Sequence, residues 1–228
     1  MKKFAIFLAV VILVVTGVIS LESKVYGQSA KKVLMIPREG HSQDLDLMLK
    51  MEVGVMLLLL KNAGFEVDIA TQSGPTSGLA ILRPNQKIEK TLRLADINAD
   101  NYVGVIMACM AVGAYPGPPV SPEAVAIVKK ALADGKPAAA SAWSTTILAE
   151  GGILKGKKYA AVSDPLKTTE TRKITDLRYE GAIYSGPGVV QDGKIITSGV
   201  CPYLERIYGM QGGVVELTQT FIKAIGTK

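Results

Sequence analysis

Histidine occurs once in the 228 residues, at His41, cysteine twice, at Cys109 and Cys201, and tryptophan once, at Trp143. With a single histidine and no Cys-x-x-Cys pair, a zinc or haem site lacks its ligands, so neither a metal nor a cofactor is expected. Charge of one sign is also scarce. The 26 Lys and Arg residues stand against 20 Asp and Glu, and outside an N-terminal leader holding Lys2, Lys3, Glu22 and Lys24 the balance is 23 against 19. So small and scattered an excess gives no footprint for nucleic acid. No internal repeat is visible, and no Pro/Gly/Ser-rich linker divides the chain after residue 30. At 48% apolar, 20% charged and 6% aromatic residues, the chain is not disordered, collagenous or polytopic, and it fits one globular domain or at most two small ones.

The leader has the order of a secretory signal. Lys2 and Lys3 precede an uncharged apolar run from Phe4 to Ile19, and smaller residues follow up to Gly27, the expected cut. The alternative is an uncleaved anchor, because the 18 residues from Phe4 to Leu21 approach the length of a membrane span. Either way the positive end stays inside, and the domain is expected outside the cytoplasm, periplasmic or extracellular. Membrane contact is then limited to residues 1–27, if they are retained. Cys109 and Cys201 would work where disulfides persist and are a candidate bridge, which requires Cα atoms about 4.4 to 6.8 Å apart.

Beyond the leader, strand and helix signals alternate. Lys32 to Pro37 reads as a short apolar strand, Asp44 to Ala63 as a helix closed by Gly64, and Phe65 to Ala70 as the next strand. Tyr102 to Ala108 is a continuous apolar run, as in a strand covered on both faces. Ser121 caps a helix with Pro122 in its first turn, running to Asp134 and ended by Gly135. Pro137 to Ala142 is a strand candidate, followed by a helix near Thr145 to Glu150. Ser144 or Thr145 is expected to cap that helix. Asp192-Gly193 marks a hairpin turn, and Val214 to Ile225 a closing helix. The Gly-rich stretches Gly113 to Pro119 and Gly186 to Gly188 read as turns, since they lack the phosphate-loop pattern and its lysine. The expected architecture is α/β, a mostly parallel sheet with helices on both faces, with sites at the turns after Pro37, Ala108 and Ala142.

One carboxylate falls on the wrong face. At about 100° per residue, Lys50 and Lys61 mark the solvent side of the first helix, whereas Glu52 shares its stripe with Leu45, Met48, Leu49, Val55, Met56 and Leu59. A carboxylate there must be paired, hydrogen-bonded or protonated, for a structural role or a site role alike.

Gly135 to Thr145 (GKPAAASAWST), continued by Ile147 to Lys157 (ILAEGGILKGK), and Asp192 to Gly199 (DGKIITSG) resemble the ThiJ/PfpI family over residues 32–226. The resemblance implies the glutamine-amidotransferase-like, flavodoxin-like three-layer α/β/α sandwich. It also implies that Glu52, twelve residues before Gly64, is the family's buried active-site glutamate. The family's nucleophilic cysteine, on a strained strand-to-helix elbow, corresponds to Ala142, and its neighbouring histidine to Trp143. The glycine pair that helps to form the oxyanion site corresponds to Cys109-Met110. Nucleophile, histidine and small-residue loop are thus missing or altered, and the peptidase, deglycase, glyoxalase and chaperone activities of the family do not carry over.

The expected function is therefore binding or sensing of a small molecule, or protein association, by a pseudoenzyme with a vestigial pocket at Glu52, Ala142 and Trp143. The family resemblance adds a homodimer. Candidate ligand-binding residues are Arg38, His41, Glu52, Cys109 and Trp143, although an exposed loop residue is the usual reading of His41 and packing the preferred reading of Trp143. The alternative is a hydrolase or lyase with Cys201 as a relocated nucleophile and Glu52 or His41 as acid or base. Cys201 is otherwise a disulfide partner or a small buried residue, and Ser144 has no base in sequence reach. A third expectation is a structural envelope protein whose pocket is filled by Trp143 and Met110.

Overall fold

Alternating side chains in the strands decide the layers. In β1 (Lys32–Ile36), Val33 and Met35 pack on one face of the sheet, and Leu34 and Ile36 on the other. The same division recurs in β4 (Val105–Met107) and β5 (Ala138–Ser141), where Ile106 and Ala139 face one core and Val105, Met107, Ala138 and Ala140 face the other. A strand buried on both faces has no polar side, which is why Tyr102 to Ala108 reads as one apolar run.

The computed structural model describes residues 31–37, 49–74, 91–109, 120–168 and 174–226, within a compact unit Lys31–Lys228. Its main sheet has the order β3-β2-β1-β4-β5-β9-β8. Here β2 is Glu66–Thr71, β3 is Thr91–Arg93, β8 is Val189–Asp192 and β9 is Ile195–Ser198. Every pairing is parallel except β8 with β9, the hairpin turned at Asp192-Gly193. β6 (Lys158–Tyr159) and β7 (Ile183–Tyr184) form a small separate parallel pair. This is the flavodoxin-like α/β class expected from the sequence. Strand order reverses between β1 and β4, which places a binding crevice at the carboxyl ends of those strands.

Helices α1 (Gly54–Asn62) and α5 (Val214–Ile225) cover one face, and α2 (Pro122–Ala133) and α3 (Thr145–Glu150) the other. Ser121 Oγ accepts the Ala124 N–H at 3.2 Å and caps α2 as expected. A short helix α4 (Pro202–Tyr208) follows β9. Among the described residues, no helix is long and apolar enough to cross a membrane.

Two local expectations are corrected. Before α1 the chain forms a π turn over Leu49–Val53, so the described part of the first helix is not uniformly α. Neither Ser144 nor Thr145 caps α3. Ser144 Oγ instead donates to Ser141 O at 2.8 Å and Met107 O at 3.2 Å, while Thr145 Oγ1 bonds Ala142 O at 2.9 Å and the Tyr179 hydroxyl at 2.8 Å. These hydroxyls tie β5 to its neighbours rather than ending a helix.

Candidate functional site

β5 ends at the elbow. Ala142 has φ 45°, the one non-glycine residue with positive φ among the described residues. This region costs an L-residue roughly 1–2 kcal/mol, and such strain usually persists where a side chain must be aimed. Here the aimed group is a methyl, which cannot act as a nucleophile. Ala142→Gly should therefore raise stability by about 1 kcal/mol, or about 3 °C in Tm, seen in thermal unfolding. An unchanged or lower Tm would show that the turn carries no strain.

Behind the elbow lies Glu52. The π turn and α1 together bury Leu49, Glu52, Val53, Met56 and Leu60 while leaving Lys61 exposed, so the carboxylate sits on the apolar stripe as expected. π turns recur at functional sites because they re-aim one side chain. Glu52 is wholly buried, and its Oε1 accepts the Cys109 N–H at 3.0 Å. Among the described residues Oε2 has no hydrogen-bond partner, and neither has Ser141 Oγ. The Ser141 hydroxyl lies close enough to favour the ionised form without reaching full hydrogen-bond geometry. Burial dominates and pushes the carboxyl from 4.5 up to about 8, with Ser141 and the Cys109 N–H opposing the rise and Cys201 and Glu205 adding to it. At neutral pH this carboxyl is mostly protonated.

The two cysteines meet beside it. Cys109 follows β4 and Cys201 precedes α4, and with Ala142 and Leu204 they form a small cluster apart from the two main cores. Both are free and buried. Proximity to Cys201 holds the Cys109 thiol well above its ordinary range, with burial and Glu52 acting in the same direction. The neighbouring Cys109 thiol, then the N–H groups of Leu204 and Tyr203, bring Cys201 down from 9.0 to about 6 against the opposing effect of burial.

A cavity of about 200 Å³ opens over the elbow. Its walls are Ala142, Trp143 and Thr145 after β5, Gly199, Cys201, Tyr203 and Leu204 after β9, and, from segments not singled out in the sequence, residues 161–163, Pro165, Asp176 and Tyr179. Trp143 is 38% exposed and flanks the cavity, so it is a wall rather than a plug. Asp176 is buried and held by Arg178, through Nε at 2.7 Å and Nη2 at 2.6 Å. Tyr179 is fixed by Thr145 and Thr146. No turn or motif signal marks these residues as neighbours; only the placement of residues 161–165 and 176–179 around the cavity does.

Of the sequence candidates, Glu52, Cys109, Ala142, Trp143 and Cys201 come together here. Glu52 and Cys109 lie behind the cavity and are not among its walls. Arg38, His41 and Met110 lie outside the described residues.

The chain is 30% identical over 213 residues to the uncharacterized protein MJ0967 of Methanocaldococcus jannaschii, covering 92% of this chain and 95% of that one. The ThiJ/PfpI domain protein of Brachyspira murdochii superposes with a TM-score of 0.61 at 15% identity, over 88% of this chain and 99% of its own. Oxidized DJ-1 of Toxoplasma gondii gives 0.57 at 21%, over 87% and 92%. Those two structures share the fold. With the sequence pattern of the DJ-1/PfpI family matching residues 42–207, most of the sheet and every described side chain of the elbow region, the chain belongs to that family.

Proposed function

We propose that this is an exported member of the family that binds a small, largely apolar molecule in the cavity over the elbow and performs no elbow-cysteine chemistry. The observation that carries the proposal is Ala142: a strained turn, with a buried glutamate behind it and a cavity in front, presents a methyl and no reactive atom. The walls suit such a ligand. Trp143, Tyr179, Tyr203, Leu204, Val162 and Pro165 offer apolar area, and Thr145 and Asp176 supply polar groups to orient it. Export rests on the order of residues 2–27, and the homodimer on the family resemblance; both belong to the same proposal.

Trp143 is the single tryptophan, so occupancy can be read directly. A small quenching aromatic such as 4-nitrophenol should reduce Trp143 fluorescence saturably. Val162→Phe, which narrows the cavity from a partly exposed position, should weaken that binding about tenfold, or about 1.4 kcal/mol. Equal affinity in the two proteins, or no saturable quenching, would remove the cavity as the binding site.

Hydrolysis or lyase chemistry at Cys201 finds one favourable observation, the lowered thiol at the cavity wall. Of its two acid–base candidates, Glu52 is fully buried and is not a cavity wall, so it does not face a bound substrate or its water, and His41 lies outside the described residues.

A further inference from the structure

Two free, buried thiols packed in one small cluster differ in the respects that matter for exchange chemistry. Cys201 belongs to the cavity wall, and its thiol is lowered by Cys109 and by the nearby N–H groups of Leu204 and Tyr203. Cys109 is not a cavity wall, and its thiol is raised. Directly behind Cys109 is a wholly buried carboxyl, Glu52, whose Oε2 has no hydrogen-bond partner among the described residues. Inert burial of two small residues requires neither the asymmetry nor a buried carboxyl with one oxygen left over.

We propose that Cys109 and Cys201 form a dithiol–disulfide exchange centre for low-molecular-weight disulfides, with Cys201 as the entry thiol, Cys109 as the resolving thiol and Glu52 as the acceptor of the Cys109 proton. The Cys201 thiolate attacks one sulfur of a disulfide RSSR, a Cys201–S–S–R bond forms, the R–S–S–R bond breaks, and RS⁻ leaves to take a proton from solvent. That step discharges Cys201, whose charge raises the affinity of Glu52 for its proton, so Glu52 ionises more readily just as a base is required. Cys109 then passes its proton to the Glu52 carboxylate and attacks Cys201 Sγ. The Cys201–SR bond breaks and the second RS⁻ leaves. In sum, the protein dithiol loses two electrons and becomes a disulfide, and RSSR becomes two thiols; excess thiol drives the reverse reaction.

Among the described residues, the titratable groups near the pair are Glu52 from the π turn, Glu205 and Tyr203 from α4, and Asp176 and Tyr179 across the cavity. Only Glu52 adjoins Cys109, through the bond to its N–H and its effect on the thiol.

The test uses the full chain, fully reduced, with oxidised glutathione as the probe, acid quenching, alkylation and intact mass. The wild type should lose two hydrogens and both alkylation sites together, accumulate no lasting glutathione adduct, and revert with excess reduced glutathione. Cys109→Ser should trap one glutathione on Cys201, and Cys201→Ser should give no adduct on the same timescale. Glu52→Gln should leave the first step unchanged but slow resolution on the order of a hundredfold and flatten its pH profile, which a merely structural role would not do. If a serine variant does not fold, the wild-type masses alone decide. A stable wild-type adduct, first reaction at Cys109, or no reaction without denaturant would overturn the proposal. Because exchange is read as mass and not as occupancy, failure of 4-nitrophenol binding would leave this result standing.

Discussion

Glu52→Gln is expected to abolish a fall in stability between about pH 4.5 and 6 and to turn the curve upward above pH 6. In the folded chain the Glu52 carboxyl is raised from 4.5 to about 8, so over that interval the native state holds a proton that the unfolded state has lost. Stability from this group is full below pH 4.5 and is lost as pH rises toward 8, with a limiting slope of about 1.4 kcal/mol per pH unit. Cys201 has the opposite sign. Lowered from 9.0 to about 6, it adds stability as pH rises above 6 and loses it as pH falls through 6. The wild type should therefore lose about 2 kcal/mol between pH 4.5 and 6 and then level off where the two slopes oppose each other. The glutamine variant keeps the shape and can still accept the Cys109 N–H, but cannot ionise. The lowered carboxyls Glu123, Asp134 and Asp192 act below this window. Urea midpoints from pH 4 to 9 check the claim, and parallel curves for the two proteins would mean that Glu52 is ionised in the fold.

Gly199→Ala should be the most damaging Gly→Ala change among the described residues. A Cβ at Gly199 would lie 2.5 Å from Val162 N and 2.6 Å from Ala161 O, and closer still to the Ala161 carbonyl carbon. All of these are backbone atoms, and the backbone on both sides is held: Gly199 N–H donates to Pro187 O at 2.8 Å, Ala160 N–H to Thr197 Oγ1 at 2.8 Å and Ala161 N–H to Gly186 O at 3.2 Å. No rotamer change relieves such a clash, so the cost should reach about 3 kcal/mol, the upper end for overpacking. Gly199 and Ala161 are both cavity walls, so probe binding should fail along with stability. Denaturation together with Trp143 quenching reads both effects. A variant as stable as the wild type, with its quenching intact, would show that these segments are not in close contact.

Gly199 was legible as part of a motif, but not as a contact. The sequence shows what repeats locally: the helices over 145–150 and 214–225, the Asp192-Gly193 hairpin and the Ser121 cap all follow from short-range signals. Glu52 was legible because one carboxylate among apolar neighbours stands out on a helical count, even though the segment proved to be a π turn. Helix α4 escaped notice despite Pro202 in its first turn and Gly209 at φ 60° after its end, because seven residues carry too little periodicity. The thiol pair was beyond local reasoning altogether. Cys109 and Cys201 meet because β4, β5 and β9 end side by side, and strand order is a long-range property. Trp143 and Tyr179 as cavity walls depend on the same convergence.

The central claim is that this cavity has lost its elbow nucleophile and presents the sulfur of Cys201 in its place. Its most direct measurement is the rate and site of alkylation of the reduced, folded protein by iodoacetamide from pH 5 to 9, mapped by peptide mass. The expected result is modification of Cys201 first, with a rate that rises through a midpoint near pH 6, and of Cys109 only on unfolding. Equal or earlier modification of Cys109, or a Cys201 rate that rises only near pH 9, would contradict it.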